Sequence, residues 1–150
     1  MNITKVEIIE ACRNEIESRI KNSQDAIKSA QESANSEQKS TAGDKHDTAR
    51  SMAQFEQEKL SKQLAEQLKL RALLSNIPET ENHEKVKLGS LVECTNGHFF
   101  LGIGIGKLEI RNQQIFAISA ASPLGKKLLG ASAGKEFTIN SRNFKVVSVC

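Results

Sequence analysis

Two aspartates, Asp44 and Asp47, stand three residues apart in the stretch Thr41-Ala42-Gly43-Asp44-Lys45-His46-Asp47-Thr48. The stretch interrupts two long helical patterns and holds a compact pair of acids in a glycine-marked turn. Carboxylates so placed would leave together from the end of a hairpin, a way of carrying charge into a place the rest of the chain cannot enter. The same residues have a plainer use. Asp44 is a good N-cap for a following helix, and Asp47 three residues on would favour the positive end of the helix dipole. His46 between them reads as a solvated residue of the turn.

Other reactive groups are scattered. Cys94 and His98 are the one thiol and imidazole close in sequence, but without a third group to orient the imidazole such a pair is weak ground for nucleophilic catalysis. Cys12, Cys94 and Cys150 are odd in number, widely spaced and without a C-x-x-C pair. That pattern points to neither a disulfide framework nor a zinc site, and fits a reducing compartment. Gly102-Ile103-Gly104-Ile105-Gly106 resembles a nucleotide loop only on the surface, since it lacks G-x-x-x-x-G-K-[ST] and a following helix. Alternating Gly and Ile instead fits a strand that packs closely on another element. Phe99-Phe100, near lysines, could stack on bases, yet neighbours on a strand face opposite ways, which assigns at least one of them to a core.

Composition divides the 150 residues in two. Residues 1–75 hold twelve basic and twelve acidic side chains, whereas residues 85–150 hold nine Lys or Arg against three Glu, a formal charge of +6 within an overall +3. A basic body suits an acidic partner, nucleic acid or protein, without choosing between them. Five of the six Phe and eight of the nine Gly fall in the second half, and Trp and Tyr are absent. No window approaches the ~20 apolar residues of a membrane span, so the expected location is cytoplasmic.

Thr4 with Glu7 three residues on forms a capping box for a first helix. From there Val6, Ile9, Arg13, Ile16, Ile20, Ser23, Ile27, Ala30 and Ala34 step by three and four, a heptad seam with polar breaks at Arg13 and Ser23. A returning helix from about Asp44 offers Met52, Leu60, Leu64 and Leu68. An antiparallel two-helix coiled coil over residues 1–75 accounts for both patterns. Residues 76–84, with Pro78 and three Glu, read as a linker.

Residues 85–150 then predict a small antiparallel β domain with one short helix, giving an α+β chain. Strands are expected at Val86–Cys94, Phe99–Ile105, Lys107–Ile110, Gln114–Ser119, Glu136–Asn140 and Phe144–Val149, the first two joined by the Asn96-Gly97 hairpin signal. Ser122 as cap and Pro123 in the first turn open a helix from Leu124 to Leu129, stopped by Gly130, with Leu128 and Leu129 expected in the core.

Two motifs within this order resemble the bacterial Gre transcript-cleavage factors, the GreA/GreB family. One is Ser122-Pro123-Leu124-Gly125-Lys126-Lys127-Leu128-Leu129-Gly130 followed by Ala133-Gly134-Lys135-Glu136, similar to that family's Ser-Pro, leucine-rich turn and Gly-Asp-Glu segment. The other is Gly43-Asp44-Lys45-His46-Asp47, similar to the family's Gly-Asp-x-x-Glu at the hairpin tip. Asp47 stands where the family has Glu, Thr48-Ala49-Arg50-Ser51 replaces the usual Asn-Ala-Glu-Tyr, and Ala121 precedes Ser122 where relatives often have Asn or Asp.

The resemblance implies an FKBP-like second domain and a monomer that binds RNA polymerase. It implies that the coiled coil enters the polymerase's secondary channel and reaches the 3′ end of the nascent RNA. Asp44 and Asp47 would there share a Mg²⁺ ion with the polymerase, since two carboxylates are too few to keep magnesium without further oxygen ligands. No nuclease activity is expected of the protein alone. Ser122, Pro123, Lys126 and Lys127 are the implied contacts to the polymerase, although each has a plain reading as a helix cap or a solvated lysine. Two alternatives stay open: a regulator that enters the channel without supporting cleavage, and an oligomeric scaffold built on the coiled coil.

Overall fold

The computed structural model describes the backbone of residues 2–38 and 43–150, and their side chains apart from residues 36–38, 43–47 and 49. Helix α1 spans Lys5–Gln38 and helix α2 spans Gly43–Ser75. Strands β1 (Leu91–Cys94), β2 (Gly97–Gly102), β3 (Gly106–Ile110) and β4 (Gln113–Ser119) precede a short helix α3 (Pro123–Leu128), and β5 (Glu136–Ile139) and β6 (Arg142–Val149) close the chain. The expected architecture, a helical hairpin and then a small sheet domain with one short helix, is the one observed. Two compact units share these elements: Ile16–Arg71, and Met1–Glu15 together with Ala72–Cys150.

Within Ile16–Arg71 the two helices meet along a heptad seam. Ile16, Ile20 and Ser23 of α1 are buried, and Ile27, Ala30 and Ala34 half-buried. From α2 the half-buried residues are Ala53, Gln57, Leu60, Leu64, Gln67 and Leu70. Met52 and Leu68, expected in the seam, are 68% and 37% exposed. The reason is geometric: repeated steps of four drift around a helix of 3.6 residues per turn, whereas Ala53-Gln57-Leu60-Leu64-Gln67 alternates four and three and stays on one side. The polar break expected at Ser23 is matched, because its hydroxyl donates to Gln67 Oε1 at 2.8 Å. A single satisfied polar layer of this kind fixes register, since slipping by a turn would leave both groups unpaired. Arg71 and Glu17 also bridge the helices at 3.2 Å, an exposed pair worth a few tenths of a kcal/mol.

The other unit is a six-stranded sheet in the order β3-β4-β2-β1-β6-β5. Every neighbouring pair is antiparallel except β2 and β4, which run parallel with Phe99 opposite Phe116 and Leu101 opposite Ile118. The parallel pair departs from the antiparallel expectation and follows from connectivity. The chain leaves β2, makes β3 on the outer edge, and the hairpin back into β4 restores the direction of β2.

Two strand limits differ from the sequence expectation by three residues or more, and the others by no more than two. β1 begins at Leu91 because Lys87–Ser90 is a turn, with Ser90 N–H donating to Lys87 O at 2.9 Å and Gly89 at φ 91°. β2 ends at Gly102, where a Cβ would stand 3.0 Å from Ile77 Cδ1, so the close packing anticipated for the Gly-Ile alternation occurs at this glycine. Phe99 stacks on Phe116 with centroids 5.8 Å apart and tilts against Phe144 at 6.1 Å, and Phe144 stacks on Phe137 at 5.2 Å. These rings join Val92, Leu101, Val146 and Leu128 in one core. Phe100, next along β2, is fully buried too. Both phenylalanines are thus spent on packing, not offered to bases.

In the first turns of α1, Ile8, Ile9 and Cys12 are buried, whereas Val6, expected in the seam, is 47% exposed. Arg13, also expected there, reaches out to Glu79 at 3.5 Å. These turns belong to the sheet-bearing unit and present it a face set one or two positions away from the hairpin seam. Arg111 in the β3–β4 turn pairs with Glu7 at 3.0 Å and donates to Asn2 O.

That turn and the β5–β6 turn each carry two successive residues at positive φ: Arg111 at 48° with Asn112 at 65°, and Asn140 at 50° with Ser141 at 65°. Both central residues of a type I′ hairpin turn need this conformation, and only Gly adopts it without cost. Ser141→Gly, giving Asn-Gly, is expected to raise unfolding free energy by about 0.5–1 kcal/mol, read as a shift of the urea midpoint at unchanged m.

Candidate functional site

Asp44 and Asp47 lie within α2, whose first residue is Gly43. Asp44 therefore sits inside the helix and not at its cap, and positions three apart on a helix share one side of it. The side chains of both aspartates, and of Lys45 and His46, lie outside the described residues.

The second group of candidates sits around α3. Ser119 O accepts from the Ser122 hydroxyl at 2.6 Å, and Ser122 Oγ accepts from Gly125 N–H at 3.0 Å, with Pro123 following in the first turn. One hydroxyl thus caps the helix and ties its start to the end of β4. Gly125 is held there by contact, for a Cβ on it would overlap the Ser119 carbonyl. Pro123, Lys126 and Lys127 are exposed and Ser122 is half-buried. Lys135 donates to Lys127 O at 3.2 Å, adding a third ammonium beside this helix at its negative end. Leu128 is fully buried as expected, but Leu129 is 49% exposed. It occupies the C-cap with extended backbone, φ −54° and ψ 125°, which takes its side chain off the helix's inner face.

Ser122→Ala is expected to cost about 1–2 kcal/mol, because it removes the cap and leaves the Gly125 N–H without a partner. Thermal unfolding would show it as a lowered Tm.

The structure thus brings Ser122, Pro123, Lys126 and Lys127 together on α3, in one compact unit, and places Asp44 and Asp47 in the other. The Cys94–His98 pair gains no chemistry. Cys94 is buried, and burial together with Glu93 pushes its thiol up to about 11, away from the reactive thiolate. Burial likewise pushes Cys12 up to about 11. Among the described residues no group of three or more His, Cys, Asp or Glu could hold a metal ion, and no helix is long and apolar enough to cross a membrane.

One polar cluster was not singled out in the sequence. His83, in the segment read as a linker, is buried, its Nδ1 stands 2.6 Å from Ser90 Oγ, and its Nε2 stands 3.4 Å from Glu81 Oε2. Ser90 Oγ also accepts from Lys87 N–H at 2.9 Å. Lys5, buried as well, donates to Glu81 O. A lone histidine seven residues from a serine carries no sequence signal, and only the turn at Gly89 brings them together.

No family model matches the chain, and no curated protein matches it. Among solved structures, the chain is similar to one titled "Structure of the transcription factor Gfh1", at 20% sequence identity and a TM-score of 0.38, over 91% of this chain and 92% of that one.

Proposed function

We propose that this protein is an accessory factor of bacterial RNA polymerase of the Gre type, its hairpin carrying Asp44 and Asp47 into the secondary channel and its sheet domain holding the enzyme from outside. The observation that carries the proposal is a hairpin of 34- and 33-residue helices whose second helix opens on Gly43-Asp44-Lys45-His46-Asp47. Each helix would extend about 50 Å at 1.5 Å per residue, enough reach for a buried active centre. Support comes also from the exposed Pro123, Lys126 and Lys127 on a rigidly capped helix, in a half of the chain with formal charge +6.

Two carboxylates are a fitting but incomplete donor set for Mg²⁺, which takes six oxygen ligands and is commonly held by one or two carboxylates with water and phosphate oxygens. The remaining ligands would come from the polymerase and the RNA. A divalent ion bound there supplies an activated water and stabilises a leaving oxygen. The part of Asp44 and Asp47 is to offer carboxylate oxygens from one side of a stiff helix. On this reading the protein cleaves nothing by itself.

The test is RNA shortening in backtracked complexes of the cognate RNA polymerase with magnesium. Acceleration of 3′ cleavage on adding the protein is the expected result, and failure to bind polymerase would overturn the proposal. The second reading, a channel regulator that does not support cleavage, is favoured by Asp47 in place of Glu and by Thr48-Ala49-Arg50-Ser51 after it. Binding without acceleration would select it. Mass measured across concentration separates both from a self-associating scaffold.

A further inference from the structure

We propose that the His83–Ser90 contact is an acid-sensitive clasp, which holds the segment between α2 and β1 against the sheet at neutral pH and lets it open when His83 takes up a proton. Ser90 Oγ accepts from Lys87 N–H at 2.9 Å and lies 2.6 Å from His83 Nδ1. A hydroxyl has one proton to give, so the arrangement that satisfies every group has Ser90 donating to an unprotonated Nδ1, with the ring N–H on Nε2 towards Glu81. Protonated His83 would bring a second donor to Ser90 Oγ and leave the hydroxyl proton without an acceptor, in a residue that is fully buried.

The charged groups around the ring come from each segment that meets it. Lys5 of α1 and Lys87 of the turn disfavour a second positive charge, and Glu81 favours it; burial, the largest influence, disfavours it, and the net direction is a lowered His83 pKa. Lys5 is itself lowered, chiefly by burial. The segment is also held where Lys5 donates to Glu81 O, Arg13 pairs with Glu79 at 3.5 Å and Ile77 packs on Gly89 and Gly102, and by backbone bonds of Val86 with Gly130 and Ala131 and of Gly89 and Ser90 with Leu101. Backbone bonds take up no proton in this pH range, so the ring contact is the part of the attachment that acid weakens.

With the clasp closed His83 binds its proton more weakly than in the open segment, so the open form takes up more protons as pH falls. Closure is fully favoured above the ordinary histidine pKa of ~6.5 and is lost progressively from there down through the lowered value.

Hydrogen exchange of the Lys87, Gly89 and Ser90 amides in the full chain, corrected for intrinsic rates, tests this between about pH 7.5 and pH 5, above the carboxylate range. The His83 ring would be titrated by NMR in the same samples. Protection of the three amides is expected to fall at least about threefold in wild type, in step with the ring. His83→Gln, whose carboxamide can accept from Ser90 and donate to Glu81 without titrating, is expected to stay flat. Lys5→Met, which removes the facing cation, should move the ring titration and the loss of protection together to higher pH. Unchanged protection while the ring titrates, or the same acid loss in His83→Gln, would overturn the proposal.

Discussion

On the proposed function, Asp44→Asn is expected to lower transcript cleavage in backtracked polymerase complexes by about 100-fold or more, with polymerase binding unchanged. The size reflects what is lost: in a site where a ~1 Å misplacement can cost on the order of a hundredfold, replacing an anionic ligand oxygen with an amide removes both charge and geometry. Folding should barely notice. Asp and Asn have the same shape and similar helix propensity, so at this position within α2 loss of cleavage is separable from loss of structure. Asp47→Asn is expected to act in the same direction. Asp47→Glu is the more telling change, because the extra methylene adds about 1.5 Å of reach, on the scale of one carbon–carbon bond, and restores the acid that Gre factors carry. If Asp47 already supports cleavage, the longer acid will alter the rate. If wild type binds without cleaving and Asp47→Glu cleaves, the shorter acid is what makes this protein a regulator. Gel-resolved RNA lengths over time, with binding measured separately, distinguish these results.

Gly125→Ala is expected to be the most damaging small substitution in the sheet domain, costing about 3 kcal/mol or more. A methyl at this position would overlap the Ser119 carbonyl, with Ser119 C at 2.9 Å and Ala120 Cα at 3.0 Å, all of it backbone that cannot swing aside. Relief would require α3 to lift from the end of β4, breaking the Ser122 contacts to Ser119 O and Gly125 N–H and unseating the buried Leu128. Gly130→Ala provides the control. Gly130 has φ 80° and open space around it, so its cost is backbone strain alone, about 1–2 kcal/mol. Denaturant unfolding of the two variants should rank them in that order. Equal losses would show that α3 can shift to make room. On the proposed function, Gly125→Ala should also weaken polymerase binding, since Pro123, Lys126 and Lys127 ride on the displaced helix.

Local patterns carried much of the architecture. The capping box at Thr4 and Glu7, the three-and-four stepping of Ile16, Ile20, Ser23 and Ile27, the Asn96-Gly97 turn and the Ser122-Pro123 helix start each depend on residues within a few positions of one another, and short-range geometry needs no knowledge of the rest of the chain. The observed N–H contact from Glu7 to Thr4 Oγ1 at 3.2 Å and the Ser122 cap are of this kind. The acids at 44 and 47 were legible for the same reason, as a closely spaced pair beside a glycine, although the structure places both within α2 and not in a turn.

What sequence could not decide depended on partners far along the chain. Which side of α2 faces α1 turned on Gln57 and Gln67, polar residues that a search for apolar spacing passes over, and Gln67 becomes a seam residue only because Ser23 stands opposite. The parallel pairing of β2 with β4 required β3 to occupy the edge. The glycine at 125 looks like a weak helix former until the Ser119 carbonyl is seen beneath it. His83, Ser90 and Lys5 read as unrelated polar residues, and burial joined them into one network. The sequence by itself determined the elements, their order and the candidate acids, because hydrophobic period, caps and turn residues act locally. Tertiary structure alone decided seam, sheet order and buried polar contacts, because each is set by which distant groups must satisfy one another once water is excluded.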